Sequence, residues 1–461
     1  MTSSSTSVKT NPNLVVVIAG PTAAGKSDVA AVLCETNRGM IVSADSVQAY
    51  QGVQIGANKP TAEERSKTPH ILVDVVDHND NYNAADWKRD AVLAIKALLT
   101  NDHDDEDDQS PEDIAASSRR QFVLDEIQKA RSMKGYEKSE ALLPIVCGGT
   151  MMYMQWLVHG QPDAMRPSES AAQEATSTIQ KFRSVDDYKG AHEHVKSFGE
   201  PFAGRIAKFC GADWYRLQRT LEVALTVKDK ENREEMIDAL YTGERQGSLS
   251  SWGLDVRCFF LCPDERMKHA KCIDERCEQM IVKGLLKETA DLSLAGQLPD
   301  MAARAIGYRQ VLNYLNDSSS ATSEEDRFDQ FLNDFSTATR QYSKKQMSWF
   351  RKDKEFIFVP VALDAVKTDR VALAAGAIQN YCQMTREEYE RKLDGGDEES
   401  ARSKETNEKQ GKNMKFYQFD RHILTKGSSE FQSALAEALE CRQRIHVKRR
   451  RLIEAEEAPS K

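Results

Sequence analysis

The octapeptide GPTAAGKS, Gly20–Ser27, follows the apolar run Leu14–Ala19 and opens a helical pattern reaching Thr36. It fits G-x-x-x-x-G-K-[ST]. The glycines let the main chain turn so that successive N–H groups face one anion. Gly20, Pro21, Thr22, Ala23, Ala24, Gly25, Lys26 and Ser27 therefore form a candidate phosphate cradle. Lys26 adds a cation and the Ser27 hydroxyl a ligand for Mg²⁺. The helix that follows turns its positive end to the same point. The motif defines a bound phosphate and leaves the reaction open.

Asp45, in VSADSVQAY (Val42–Tyr50), is the second chemistry-bearing residue. It follows the short β-like run Met40–Ser43, at the carboxyl edge where open parallel sheets bind ligands. A carboxylate there can cap a helix, bind Mg²⁺ or take a proton, and its position suits all three. Asp74, closing HILVD, is a further candidate for Mg²⁺. NKPT at Asn58–Thr61 lacks the aspartate of a guanine-nucleotide motif. His192 and His194 flank Glu193 without the i,i+4 spacing of a helical zinc pair and read as a solvated run. The nine cysteines, with no C-x-x-C pair, read as free intracellular thiols.

Such residues need a frame. Apolar strand-like runs at Leu14–Ala19, Met40–Ser43, Ile71–Val76 and Leu142–Gly149 alternate with helical spacing at Ser27–Thr36, Ala84–Leu99 and Phe122–Met133. The alternation predicts an α/β fold, a P-loop NTPase-like doubly wound parallel sheet with helices on both faces. From about Ser168 to Lys354 helical spacing dominates, except that Val256–Pro263 returns the chain to the sheet. The expected organisation is a disordered start (1–13), a P-loop core (14–165) with an acidic insert (101–118), and a mainly helical insertion domain (166–255). A return to the core with basic helices (256–360), an extension and linker (361–414) and a basic tail (415–461) complete it.

Formal net charge is −9, but eight acidic residues without a Lys or Arg crowd into Asn101–Asp113. The rest is nearly neutral, so a basic face for nucleic acid is compatible with the composition. No apolar run is long enough to cross a membrane, and MTSSSTSVKTNP lacks the apolar centre of a secretory signal. A cytoplasmic monomer is expected, with a mitochondrial or nuclear pool also compatible.

The ordered segments GPTAAGKS, SADSVQAY, IGANKPT, PHILVD, YNAADW and PIVCGGTMMYMQWL resemble those of the tRNA dimethylallyltransferases (tRNA isopentenyltransferases). DWYRLQRTLEV, DERCEQMIVKGLLKE, ARAIGYRQ and TRQYSKKQMSWFRK continue the match, which spans about Leu14 to Lys354. The resemblance implies transfer of a dimethylallyl group from its diphosphate to N6 of the adenine 3′ to the tRNA anticodon. The phosphate in the cradle is then a diphosphate leaving group. By the same resemblance Arg276 reaches the diphosphate, Thr22 lies near the reacting atoms, and Asp45 takes the amine proton. Thr150 lines the channel. Asp45, Ser46, Val47, Gln48, Tyr215, Arg216, Leu217, Gln218 and Arg219 touch the tRNA anticodon stem-loop.

Arg216 and Arg219 share one helical face. In TRQYSKKQMSWFRKDK, Arg340, Lys344 and Arg351 cluster at helical spacing as candidate phosphate contacts, while Tyr342, Gln346 and Trp349 form another stripe, with Trp349 expected in the core. Eukaryotic members of the family carry a C-terminal C₂H₂-type zinc finger. Here Tyr417 to Asp420 stand at its C-x-x-C place, and Cys441, His422 and His446 are too few ligands. No zinc is expected, and Lys448–Arg451 is expected to touch RNA or act as a nuclear signal. A P-loop kinase, an adenylate isopentenyltransferase and an inactive RNA-binding protein are the alternatives.

Overall fold

The structure, a computed structural model, describes residues 11–99, 114–162, 167–208, 212–228, 230–231, 245–317 and 323–456. The expected disordered start, up to residue 10, and the acidic run 101–113 lie outside the described residues.

β1 (Leu14–Ala19), β2 (Gly39–Ala44), β3 (His70–Ile71) and β4 (Leu143–Gly148) precede a two-stranded pair, β5 (Gln161–Pro162) with β6 (Arg245–Gln246). β7 (Asp255–Pro263) and β8 (Phe356–Val361) follow. β1–β4, β7 and β8 form one parallel sheet in the order β3-β2-β4-β1-β7-β8. LVVVIA of β1 is buried at every position because helices cover both faces, which is why it lacks polar alternation. Gly148 lies opposite both Ala19 and Ala44. β1, β2 and β4 therefore end level, and residues 20, 45 and 149 leave the sheet along one edge. β7 pairs with β1, as the Val256–Pro263 run predicts.

On one face Trp87 is fully buried, stacked on Tyr153 at 4.4 Å and donating from Nε1 to the Ser43 carbonyl at 2.9 Å. On the other, the helix Lys26–Asn37 and the helix Lys367–Gln383 bury Val29, Leu33, Val371 and Ile378.

Three expectations need correction. The run Ile71–Val76 gives a strand of only two residues, because Leu72 and Asp74 take positive φ (64° and 61°) and break the ladder. The stretch 390–414 is not a linker. It contains the whole helix Glu398–Gly411, capped by Asp397, whose Oδ1 accepts the Ser400 N–H at 2.9 Å. This helix docks through polar groups: Ser400 Oγ accepts the Phe358 N–H at 2.8 Å, and buried Asn407 donates to Pro263 O at 3.4 Å. Low apolar content therefore does not mean an undocked chain here. Third, the tail 415–461, expected as a degenerate finger ending in a basic helix, holds the helix Ser429–Glu456, whose Phe431, Leu435, Ala438 and Cys441 are buried in the main core.

Two compact units emerge, 1–158 with 249–461, and 159–248. The inserted unit is helical, as expected, but Leu249 already belongs to the main core. The core of the inserted unit gathers Ala175, Ile179, Ala191, Val195, Ile206, Leu217 and Leu221 from four helices.

Candidate active site

The loop after β1 turns through Ala23 (φ 62°) and Gly25 (φ 85°). The glycine carries the left-handed residue just before the helix Lys26–Asn37 at little cost. Lys26 Nζ donates to the carbonyls of Gly20 and Pro21, both at 2.9 Å, so it folds back over the cradle. Desolvation pushes its pKa down to about 8; Cys147 and Asp45 oppose this and Arg276 adds to it. Arg276, on the helix Arg266–Val282, is half-buried, and burial lowers its pKa too, against the pull of Cys277, Asp45 and Asp28. Arg276 is thus no solvated helix charge. Two desolvated cations and a carboxylate share one electrostatic neighbourhood at the sheet edge, an arrangement that an anion would relieve. Ser27 is exposed in the first helical turn.

The peptide of Thr22 is held from both sides. Its N–H donates to Gln346 Oε1 at 3.1 Å, and its carbonyl lies 2.8 Å from His269 Nε2. A carbonyl only accepts, so this imidazole carries its proton on Nε2. His269 is buried, and burial pushes its pKa down to about 4. Gln346 Nε2 also donates to Gly149 O at 2.9 Å, and Tyr342 OH to the same oxygen at 3.3 Å. A Cβ on residue 149 would lie 2.5 Å from Gln346 Nε2, so a side chain there would push the amide out of this contact.

Asp45 Oδ1 accepts the N–H groups of Val47 (2.9 Å) and Gln48 (3.2 Å), capping a turn over 46–49 rather than a helix. Its other oxygen makes no hydrogen bond to the described residues. Thr150 Oγ1 accepts the Ser46 N–H at 3.1 Å, and the Thr150 N–H donates to Ala44 O at 3.3 Å. Gln48 takes the Ser43 hydroxyl at 2.9 Å and donates to Ala57 O and Asn58 O. Behind that loop, Glu288 accepts the N–H groups of Gln54, Ile55 and Gly56 and the Tyr308 hydroxyl at 2.6 Å.

Asp74 is not available to Mg²⁺. Its oxygens are taken by Lys59 at 2.5 Å and Arg65 at 3.1 Å. Arg340 is also occupied: its guanidinium bonds Asp274 and Thr337 and lies against the rings of Tyr417 and Phe419. Arg351 bonds Asn407. Lys344, Lys345, Lys352 and Lys354 are exposed. Trp349 is 39% exposed, so the expected core position is wrong, and Phe350 beside it fills the core instead. In the inserted unit Tyr215 and Arg216 are exposed, Arg219 pairs with Glu222, and Gln218 bonds Thr176 and Glu222. Leu217 is fully buried there and anchors the helix Trp214–Val227.

Sequence reasoning missed His269, and it placed Gln346 in a stripe without a role. The available signal was weak, because Gln346 shares its buried helical face with Ser336, Thr339 and Ser343 as well as apolar residues.

The parallel sheet, the glycine loop and the ligand edge define a P-loop protein. Residues 48–103 and 121–353 match the family described as IPP transferase. tRNA dimethylallyltransferase 9 of Arabidopsis thaliana is 31% identical over 368 residues, covering 74% of this chain and 70% of that one. The tRNA dimethylallyltransferase of Methylococcus capsulatus is 31% identical over 361 residues, 78% of this chain and 95% of that one. The chain belongs to the IPP transferase family. A crystal structure of a eukaryotic dimethylallyltransferase acting on tRNA shares its fold, with TM-score 0.50 and 18% identity over 83% of this chain and 85% of that one.

Proposed function

We propose that the protein transfers a dimethylallyl group from dimethylallyl diphosphate to N6 of the adenine 3′ to the anticodon of tRNA, releasing diphosphate. The observation that carries this reading is a glycine loop with Lys26 folded over it, level with the turn that holds Asp45, in a chain of this family. The allylic C–O bond breaks as the new C–N bond forms. Lys26, Arg276 and the amides of residues 23–27 stabilise the charge on the departing diphosphate. The free oxygen of Asp45 takes the proton from N6 while its partner oxygen stays bound to the turn. Thr22 and Thr150 flank the path between donor and base, and the base leaves its stack to reach it.

Among the described residues no group of three His, Cys, Asp or Glu could hold a metal. An exposed serine hydroxyl at the cradle suits Mg²⁺ shared with phosphate oxygens better than an all-protein cage. Ser27 is the residue that would hold it. Mg²⁺ there supplies further charge neutralisation for the leaving group. Tyr215, Arg216 and Lys344 offer exposed contacts for the anticodon stem-loop, and the exposed Lys448–Arg451 run offers more. No described helix is long and apolar enough to cross a membrane.

The test is incubation with labelled dimethylallyl diphosphate, Mg²⁺ and unmodified tRNA or AMP, followed by digestion. Isopentenyladenosine from tRNA supports the reading. Product from AMP alone marks an adenylate isopentenyltransferase. ATP hydrolysis without prenyl transfer marks a kinase.

A further inference from the structure

We propose that Gln346 is a positioning residue that sets Thr22 for the transfer by clamping the donor loop to the turn after β4. The proposal rests on the function above, in which Thr22 lies beside the reacting atoms.

Gln346 is 1% exposed on the helix Glu324–Arg351. An amide buried there without partners would be destabilising relative to a hydrocarbon. Both ends of this one are satisfied, and by different loops. Oε1 takes the Thr22 N–H at 3.1 Å and Nε2 gives to Gly149 O at 2.9 Å. His269 holds the carbonyl of the same threonine. With N–H and C=O both fixed, the direction of the Thr22 Cα–Cβ bond is fixed. The next residue, Ala23, sits at φ 62°, a conformation that a non-glycine residue keeps only when its surroundings impose it.

The other end of the clamp leads toward the acceptor. Gly149 precedes Thr150, whose hydroxyl holds Ser46 beside Asp45. One side chain thus spans the loop that grips the diphosphate and the turn that leads to the base. Gln346 touches neither donor nor adenine in this scheme, and acts through Thr22 and Gly149. A displacement of about 1 Å in such a constellation costs on the order of 10²-fold in rate.

Gln346→Met keeps the length and removes both hydrogen bonds. We expect kcat for tRNA prenylation to fall ~10²-fold while KM for tRNA stays within about threefold. Gln346→Glu, which keeps an acceptor for the Thr22 amide but sets a second oxygen against the Gly149 carbonyl, should stay within about threefold of Gln346→Met, and full recovery would overturn the two-ended clamp. Combining Gln346→Met with Thr22→Val should cost no more than the worse single change, because both act on one side chain. A wild-type kcat in Gln346→Met overturns the proposal. So does additivity in the double variant, and so does a tRNA KM that rises in step with the loss of kcat, which would mark collapse of the helix. Calorimetry with inorganic diphosphate separates this proposal from the functional one. We expect Gln346→Met to weaken diphosphate binding about tenfold whether or not tRNA is prenylated, and unchanged affinity overturns the clamp. Wild-type protein that binds diphosphate but never prenylates tRNA sinks the proposed function alone.

Discussion

The hydroxyl of Thr150 accepts the backbone N–H of Ser46 at 3.1 Å, tying the turn after β4 to the turn that carries Asp45. Removing that acceptor leaves the Ser46 amide unpaired and frees the carboxylate turn. Thr150→Val should lower kcat/KM about tenfold, the equivalent of one ordinary hydrogen bond. Thr150→Ser, which keeps the acceptor, should stay within about threefold. Steady-state prenylation of unmodified tRNA measures both.

The proposed reaction gives Asp45 two tasks with its two oxygens, and a conservative change separates them. Asp45→Asn keeps an oxygen for the Val47 and Gln48 amides but takes no proton. The rate should drop ~10²–10⁴-fold with tRNA affinity retained. Asp45→Ala should lose the turn as well and bind tRNA more weakly. Equal tRNA binding by the two variants would show that the cap has no part in holding the acceptor turn.

His269 makes stability depend on pH. Its folded pKa is lowered to about 4 from 6.5, chiefly by burial, with Arg266 and Lys26 adding to the shift and the Thr22 carbonyl opposing it. Above pH 6.5 both states are neutral and stability is unaffected. As pH falls below 6.5 the unfolded chain binds a proton that the folded chain refuses, so stability drops down to about pH 4. The loss should reach about 2 kcal/mol by pH 5. His269→Gln, with an amide donor in place of the imidazole, should flatten the difference between urea titrations at pH 7 and pH 5.

Glu288 holds three successive backbone amides and a tyrosine hydroxyl. Glu288→Gln places an NH₂ group against donors and should cost about 2–3 kcal/mol of stability in urea unfolding. Because the braced loop 54–59 receives Gln48, the same variant should also raise KM for tRNA more than KM for the donor.

The parts of the site that were legible in the sequence are those with a local cause. GPTAAGKS needs its glycines within one turn, LVVVIA needs two covered faces, and Asp45 follows directly from a strand end. Gln346 and His269 were not legible as parts of the site, because they reach Thr22 from positions 324 and 247 residues away in the chain. Trp349 misled for a related reason: helical spacing gives a stripe but not which neighbour covers it. Leu217 lies inside a segment matched to tRNA contact, yet its apolar side chain follows the core of its own unit. The helix Glu398–Gly411 escaped notice because it docks by Ser400 and Asn407, and hydrogen bonds leave no hydropathy trace.

Asp274 and Glu278 stand two residues before and two after Arg276, both buried. Asp274 is taken up by Arg340 and Tyr417, and Glu278 by the amides of His422, Ile423 and Leu424. Tyr417 and residues 422–424 lie beyond the stretch that matches the family. The C-terminal extension therefore packs on the side of this helix turned away from Arg276, where it supplies partners to two buried acids. A chain shortened to the shared core would leave Asp274 to Arg340 alone and take from buried Glu278 all three of these amides.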